Sequence, residues 1–228
     1  CRVAAGAVAE KVLQHAGIYI TAYLKSMGSI TAHVDQSITA EHITSHPLFC
    51  PDPVASKKME EQIKILKEEG DSIGGSVAIS VIGCPAGLGD PIYEKIEARL
   101  AFAMLSINAT KAFEIGEGCL SSTMRGSVYN DSFVKENGAI KTNTNHAGGV
   151  LGGITNGMPI QCRVFFKPTS SIRKEQKTLT TSGSEATIIQ PIDARHDPCV
   201  AIRAVPVCLA MAQLVFVDAW LMDRVSRV

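Results

Sequence analysis

The amino-acid sequence predicts an α/β fold, a sandwich in which helices cover a mainly antiparallel or mixed β-sheet. Helix and strand patterns alternate three times, and hairpins, a strand and a last helix follow. That last helix, at residues 199–222, is the most apolar segment of the chain. Hydrophobic residues make up 46% of the 228 residues, which suits a globular protein with a sizeable core. No composition break divides the chain, so residues 1–228 are expected to form a single domain.

Helix boundaries are clearest in the first half of the chain. Residues 3–16 have helical periodicity, and residues 18–25 alternate apolar and polar side chains as a strand does. Asp52 is suited to cap the next helix, Pro53 to occupy its first position, and Gly70 to end it.

A further helix is expected to begin at Pro91, with Ile92, Ile96 and Leu100 facing the core. The remaining predicted elements are strands at residues 77–81, 111–115, 160–166 and 186–190, a hairpin tip at Asn137-Gly138, and the apolar helix at 199–222, which Pro206 would kink or start.

Charge and cysteine content exclude some classes of protein. Lys+Arg and Asp+Glu number 22 each, so nothing global indicates a nucleic-acid partner. The uncharged core of the last helix, residues 204–217, is too short to span a bilayer, so no membrane is expected. The seven scattered cysteines contain no C-x-x-C pair, which fits free thiols in a reducing compartment. The chain opens at Cys1 without a methionine or a signal-like segment, and we expect that its beginning lies elsewhere.

The stretch from residue 143 to residue 172 is dense in glycine, with the pairs Gly148-Gly149 and Gly152-Gly153. Glycine lets a main chain approach a ligand closely, so this density indicates a surface shaped for one. After a strand come residues 167–171, whose cation, hydroxyls and turn amides can cradle a phosphate. Ordinary turns and bulges explain the glycines equally well, and a solvated loop explains residues 167–171. A P-loop motif is absent from the sequence.

Arg195, His196 and Asp197 form the densest ionisable triplet, just before the last helix. Asp197 is explained most simply as a helix cap. Alternatively, Arg195 binds an anion and Asp197 acts as a base or hydrogen-bond acceptor. His196 belongs to the residue type that titrates near neutrality, but structural histidines are more common. His42 and His46 lie four apart without a carboxylate at ligand spacing, so a surface turn is expected there and no metal site.

Nine short motifs follow one another along nearly the whole chain. Each is weak alone, but together they are specific, and the chain resembles the chorismate synthase family. The motifs are RVAAGAVA (2–9), FCPDP (49–53), GDSIGG (70–75), PAGLGDP (85–91), SINA (106–109), EIGEG (114–118), NHAGGVLGGI (145–154), KPTSSI (167–172) and RHDPC (195–199).

The resemblance implies a function. Chorismate synthases convert 5-enolpyruvylshikimate 3-phosphate to chorismate and phosphate by a 1,4-anti elimination, the last step of the shikimate pathway. They need reduced FMN although the reaction has no net redox change, and NADPH is one candidate source of its electrons. The resemblance also implies a β-α-β sandwich, a homotetramer, and a cytoplasmic location, with the plastid as the alternative in an organism that has one.

The resemblance also implies site residues. Asp197 matches the aspartate implicated, together with the flavin N5, in removing the C6 proton of the substrate. The flavin-binding residues of the family are matched by Asn108, Ala109, Gly152, Lys167, Pro168, Thr169, Ser170, Ser171 and Arg195.

The chain departs from the family pattern in several places. The family's opening third, with its Gly-Glu-Ser-His-Gly motif and both catalytic histidines, has no counterpart here, and His146 and His196 are not expected to replace them. Leu209 stands where the family usually has glutamate, and Ala194 where it has glycine. We therefore expect this chain alone to be inactive or nearly so. Two alternatives remain open: an inactive remnant that keeps the fold and the flavin-binding surface, and a generic phosphate-binding module.

Overall fold

The computed structural model describes residues 1–35, 38–136, 138–191, 194 and 196–226. Within these residues the helices are α1 (Arg2–His15), α2 (Ala40–Thr44), α3 (Pro53–Glu69), α4 (Ile96–Leu105), α5 (Gly126–Tyr129) and α6 (Val200–Ser226), and a 3₁₀ helix spans Gly118–Thr123. The strands are β1 (Tyr19–Met27), β2 (Ile30–Thr31), β3 (Gly75–Ile82), β4 (Thr110–Ile115), β5 (Phe133–Glu136), β6 (Ala139–Thr142), β7 (Val150–Leu151), β8 (Ile154–Thr155), β9 (Ile160–Phe166), β10 (Gln176–Leu179) and β11 (Glu185–Ile188).

The central sheet has five strands in the order β2-β1-β3-β9-β4, and each neighbouring pair is antiparallel. Ala22 of β1 lies opposite Ile79 of β3, and Val77 of β3 lies opposite Val164 of β9. These four side chains are buried in the core. The predicted alternation of apolar residues in these strands therefore marks the face of the sheet that packs inward.

A helical layer covers this sheet, as the sequence predicts. Helix α6 packs against β1, β3 and β9, and α1 and α4 pack beside α6. Phe216 of α6 is fully buried. Gly6 lets α1 approach α6 closely, because a Cβ atom at this position would lie 2.5 Å from the Cβ atom of Ala210. The prediction of helices covering a mainly antiparallel sheet is thus confirmed.

Helix α6 is longer than the sequence pattern indicates. It runs without a break through Pro206, from Val200 to Ser226. By length and composition it is apolar enough to cross a membrane, contrary to the prediction from its uncharged core. Half of the residues in its most apolar window are buried inside the protein, as in a core helix.

The predicted boundaries of α3 are confirmed. The Asp52 side chain accepts hydrogen bonds from the amides of Val54 (2.9 Å) and Ala55 (3.0 Å), and Pro53 holds the first helical position. Gly70 ends the helix with a left-handed φ of 67°.

The predicted start of α4 is wrong. The helix begins at Ile96 and not at Pro91, and Ile92 is 71% exposed with a left-handed φ of 73°. The Asp90 amide donates to the Glu94 carbonyl (3.0 Å) and closes a turn before the helix. Ile96 and Leu100 are buried, as predicted.

Three two-stranded hairpins, β5–β6, β7–β8 and β10–β11, complete the described structure. In β5–β6, Glu136 pairs with Ala139, so the turn holds two residues, as predicted. Asn137 itself lies outside the described residues, and Gly138 has a φ of 82°. The strand predicted near residues 186–190 is β11, which pairs with β10.

Candidate functional site

Several predicted site residues meet at one end of the central sheet. Phe166, the last residue of β9, lies opposite Thr110 of β4 and opposite Gly75 of β3. The segments on either side of these strand ends therefore converge. The Lys167 amide donates to the Ala109 carbonyl (2.9 Å), which joins residues 167–171 directly to the Asn108-Ala109 turn.

Ala109 has a φ of 70°, in the left-handed region that a residue with a Cβ atom rarely adopts. Its conformation is held by neighbours, since the Thr110 amide bonds to the Ile107 carbonyl (3.3 Å) and the Lys167 amide bonds to Ala109 itself. Strained backbone of this kind clusters at functional sites. Asn108, directly before it, is exposed at the surface.

Residues 167–171 form a loop whose backbone is held by a hydrogen bond from another segment. The Ser72 hydroxyl donates to the Thr169 carbonyl (2.6 Å). The side chains of Lys167, Ser170 and Ser171 remain exposed. The Thr169 hydroxyl oxygen is buried and has no hydrogen-bond partner among the described residues. The loop thus presents a cation and hydroxyls on a fixed backbone, which is the chemistry that holds a phosphate.

Asp197 lies beside this loop, just before α6. The Pro198 carbonyl accepts a hydrogen bond from the Ile73 amide (2.8 Å), which holds the segment against the entry to β3. The Asp197 carboxylate pairs with Arg203, with 2.8 Å between Oδ2 and Nε, and is 22% exposed. Arg203 therefore orients the carboxylate for which the sequence leaves a helix cap and a base as alternatives.

Cys199 shows how this helix start is packed. Its side chain is buried beside the backbone of Ala201 and Ile202, at the first turn of α6. Burial raises the pKa of the Cys199 thiol, so it contributes to the packing as a neutral group.

Arg2, the first residue of the RVAAGAVA motif, is a neighbour of the site for which the sequence predicts no role. Its guanidinium donates to the hydroxyl (3.1 Å) and to the carbonyl (3.2 Å) of Ser106, two residues before Asn108. Arg203 lies in none of the nine motifs, and Ser72 lies in GDSIGG without a predicted role. The roles of these three residues follow from pairs that only the tertiary structure brings together.

Gly152 lies elsewhere in this chain. It sits at the tip of the β7–β8 hairpin, where the neighbouring Gly153 carbonyl accepts from the Ile96 amide (2.9 Å) at the start of α4. The hairpin precedes Ile160, whereas Lys167 follows the other end of β9. That strand measures about 20 Å at roughly 3.3 Å per residue. The structure therefore brings together Asn108, residues 167–171 and Asp197, whereas Gly152 precedes the opposite end of β9, and its contact with a flavin stays a prediction.

Much of the glycine density has a packing explanation. A Cβ atom on Gly148 would lie 2.4 Å from the Gly116 amide nitrogen, and one on Gly149 would lie 2.7 Å from the Pro159 carbonyl oxygen. The alternative of ordinary turns and close backbone packing therefore applies to Gly148 and Gly149. A Cβ atom on Gly152 would have no described atom within 4 Å beyond its chain neighbours, so sterics do not explain that glycine.

Asp131 forms hydrogen bonds with the first residues of the glycine-dense stretch at residues 143–172. Its carboxylate accepts from the Thr144 hydroxyl (2.6 Å), the His146 amide (2.8 Å) and the Ala147 amide (3.0 Å). Burial alone would raise the pKa of Asp131, but these hydrogen bonds outweigh burial and lower it. The His146 ring contacts the Tyr129 carbonyl (3.0 Å through Nδ1), which places it in this structural cluster.

Arg195 lies outside the described residues, so its contact with a flavin stays a prediction. Among the residues that the structure describes, no group of three or more His, Cys, Asp or Glu side chains could hold a metal ion. The rings of His42 and His46 meet edge to face, 5.0 Å apart, at α2.

Comparison with known proteins gives a consistent result. A family model described as chorismate synthase matches residues 1–221. A chorismate synthase from Protochlamydia amoebophila is 50% identical over 98% of this chain and 63% of its own length. Those from Synechocystis sp. and Methanosarcina mazei are each 47% identical over 95% of this chain and 60% of their own lengths. The chain thus spans about three fifths of the length of these curated relatives.

A solved structure agrees with these matches. The crystal structure of a chorismate synthase superimposes with a TM-score of 0.78 and 29% sequence identity, covering 97% of this chain and 62% of the other. The residues that the family model matches include every segment of the candidate site. This chain belongs to the chorismate synthase family.

Proposed function

We propose that the protein acts as a chorismate synthase. It converts 5-enolpyruvylshikimate 3-phosphate to chorismate and inorganic phosphate by a 1,4-anti elimination, with reduced FMN bound. One proton and one phosphate leave the substrate, and no net oxidation occurs. The observation that carries the proposal is the convergence of Asn108-Ala109, residues 167–171 and Asp197 at one end of the sheet, in a chain of this family.

The residues present fit a phosphate-bearing flavin. Lys167 supplies a cation, Ser170 and Ser171 supply exposed hydroxyls, and the loop that carries them is fixed by Ser72. The buried Thr169 hydroxyl, which lacks a partner among the described residues, is a further polar group at this position. When bound, reduced FMN supplies an electron transiently as the phosphate leaves. Asn108, Ala109, Gly152, residues 167–171 and Arg195 are the residues that would hold it.

Asp197 is the residue we assign to proton removal. Its carboxylate accepts the C6 proton, while the phosphate departs with the electrons of its own carbon–oxygen bond. Arg203 keeps the carboxylate in position through its 2.8 Å contact. The shared name of the relatives favours this function over the catalytically inactive remnant.

We further propose a homotetramer in the cytoplasm, or in the plastid of an organism that has one, with NADPH as one source of electrons for FMN. All seven cysteines are free thiols, five of them buried, which supports a reducing compartment. The 22 basic and 22 acidic residues balance, so we propose no nucleic-acid partner. The packing of α6 against the sheet supports a core helix and no membrane partner.

Turnover by the protein from its natural source tests the proposal. With reduced FMN under anaerobic conditions, we expect chorismate and phosphate to appear in equal amounts. Asp197→Asn should lower kcat by about a hundredfold or more, the usual contribution of a positioned base. Asp90→Asn, at an exposed aspartate on the opposite end of the sheet, is the control and should leave turnover unchanged. Absence of chorismate with the unaltered protein, or full activity in Asp197→Asn, would contradict the proposal.

A further inference from the structure

The His196 ring lies between two backbone carbonyls. Its Nε2 is 2.8 Å from the Asp71 carbonyl oxygen, and its Nδ1 is 3.3 Å from the Ser171 carbonyl oxygen. Asp71 belongs to the turn after α3, and Ser171 is the last residue of the loop at residues 167–171. The ring therefore connects two segments that are 100 residues apart in the chain.

The chemistry of this contact depends on protonation. A carbonyl oxygen can only accept a hydrogen bond, and a neutral imidazole donates from only one of its two nitrogens. Both contacts are hydrogen bonds at the same time only when the ring carries two protons. We propose that His196 is a positioning residue whose doubly protonated ring ties the loop at residues 167–171 to the turn at Asp71.

The charges around the ring allow this state. Among the described residues, the charged side chains on the segments packed around it include Glu69, Asp71, Lys167, Arg173, Lys174, Asp197 and Arg203. Most of them are paired: Lys174 with Asp71 (2.7 Å), and Arg203 with Asp197 (2.8 Å). The hydrogen bond from Lys174 is the main reason that the pKa of Asp71 is lowered, and a charged His196 ring contributes in the same direction. Asp71 therefore remains an anion beside the ring.

The number of hydrogen bonds that hold the loop at residues 167–171 therefore depends on pH. A second tether, from the Ser72 hydroxyl to the Thr169 carbonyl (2.6 Å), does not change with pH in this range. When the imidazolium loses a proton as pH rises, the ring can keep only one of its two hydrogen bonds, and the loop loses a tether. If the loop binds the FMN phosphate, as the proposed function holds, FMN affinity falls with the same loss.

The Arg173 amide is a reporter that needs no ligand. It donates to the Gly70 carbonyl (2.8 Å), so it spans the same two segments, next to Ser171 and Asp71. We expect its hydrogen-exchange protection, corrected for intrinsic exchange, to fall about tenfold between about pH 6 and about pH 8, the effect of losing one charge-assisted hydrogen bond. In His196→Gln, which keeps a neutral donor, protection should not vary with pH. His15→Gln, at an exposed histidine of α1, should behave as the unaltered chain.

Constant protection across this range in the unaltered chain, or the same pH dependence in His196→Gln, would overturn the role of His196. FMN titrations at the two pH values separate this role from the proposed function. We expect affinity to fall with pH in the unaltered chain by about tenfold more than in His196→Gln. A complete lack of FMN binding would count against the proposed function, while the exchange experiment would still decide the role of His196.

Discussion

Ala109 is the residue at which backbone strain and the candidate site coincide. Its left-handed φ of 70° is maintained while its carbonyl receives the Lys167 amide. Left-handed backbone costs a residue with a Cβ atom about 1–2 kcal/mol. The surrounding fold must therefore supply that energy, and the result is a turn that presents Asn108 beside the loop at residues 167–171.

Ala109→Gly tests whether this strain is real. Glycine removes the left-handed penalty but adds chain entropy, so we expect the free energy of unfolding to rise slightly, on the order of 0.5 kcal/mol. Urea denaturation of the variant and the unaltered chain measures the difference. Ala98→Gly, at an exposed position within α4, is the matched control and should lower stability by about 1 kcal/mol. Equal losses in both variants would show that Ala109 is not strained.

At the scale of elements, a glycine before the β7–β8 hairpin and a glycine at its tip differ in their packing. Gly148 and Gly152 both have left-handed φ angles, 68° and 61°. Only Gly148 touches another backbone segment, because a Cβ atom there would lie 2.4 Å from the Gly116 nitrogen.

We therefore expect Gly148→Ala to destabilise the chain by about 3 kcal/mol, and Gly152→Ala to cost about 1 kcal/mol from the φ angle alone. Thermal unfolding of the two variants side by side provides the comparison. A loss in Gly152→Ala as large as that in Gly148→Ala would mean that the hairpin tip is packed in a way the structure does not show.

The sequence predicts the bounds of an element correctly when residues close in the sequence set both of its ends. Asp52, Pro53 and Gly70 set both ends of α3 from neighbouring residues, and the sequence predicts these ends correctly. The start of α4 is set by a contact from elsewhere, the Gly153 carbonyl that receives the Ile96 amide. No residue near Pro91 indicates that contact. A prediction from the periodicity of the apolar residues therefore places the start of the helix too early in the chain.

The same distinction applies to the candidate site. Residues 167–171 stand out in the sequence because a cation and three hydroxyls occur together. The roles of Arg203 and Ser72 depend on partners six and 97 residues away. A short sequence pattern does not predict these two contacts. The family resemblance marks individual residues but not their arrangement, so it does not show that Gly152 precedes one end of β9 and Lys167 follows the other.

At the scale of the whole molecule, three aspartates link stability to acid pH. Hydrogen bonds from the backbone of His33 and Ala55 lower the pKa of Asp52, the bond from Lys174 lowers that of Asp71, and the bonds at Asp131 outweigh its burial. A carboxylate with a lowered pKa stabilises the fold above its unfolded pKa, and this contribution is lost as pH falls through the folded value.

We therefore expect the Tm to fall as pH drops below about 4, the ordinary pKa of aspartate. Asp131→Asn should have a lower Tm at neutral pH and a shallower fall in acid, because one linked group is gone. Asp90→Asn should keep the slope of the unaltered chain. Calorimetric scans between about pH 7 and about pH 2 measure these slopes. Identical slopes for Asp131→Asn and the unaltered chain would refute the assignment.

We propose that the end of the sheet at Asn108 and residues 167–171 binds FMN. The most direct measurement is an NMR titration of the labelled chain with reduced FMN under anaerobic conditions, with glycerol phosphate as a simple phosphoester for comparison. We predict that the amide signals of residues 106–110 and 167–172 shift, and that glycerol phosphate binds much more weakly than FMN. Signals that do not move with FMN, or that move only at a different part of the chain, would contradict the claim. Equal binding of glycerol phosphate would leave a generic phosphate-binding module as the better description.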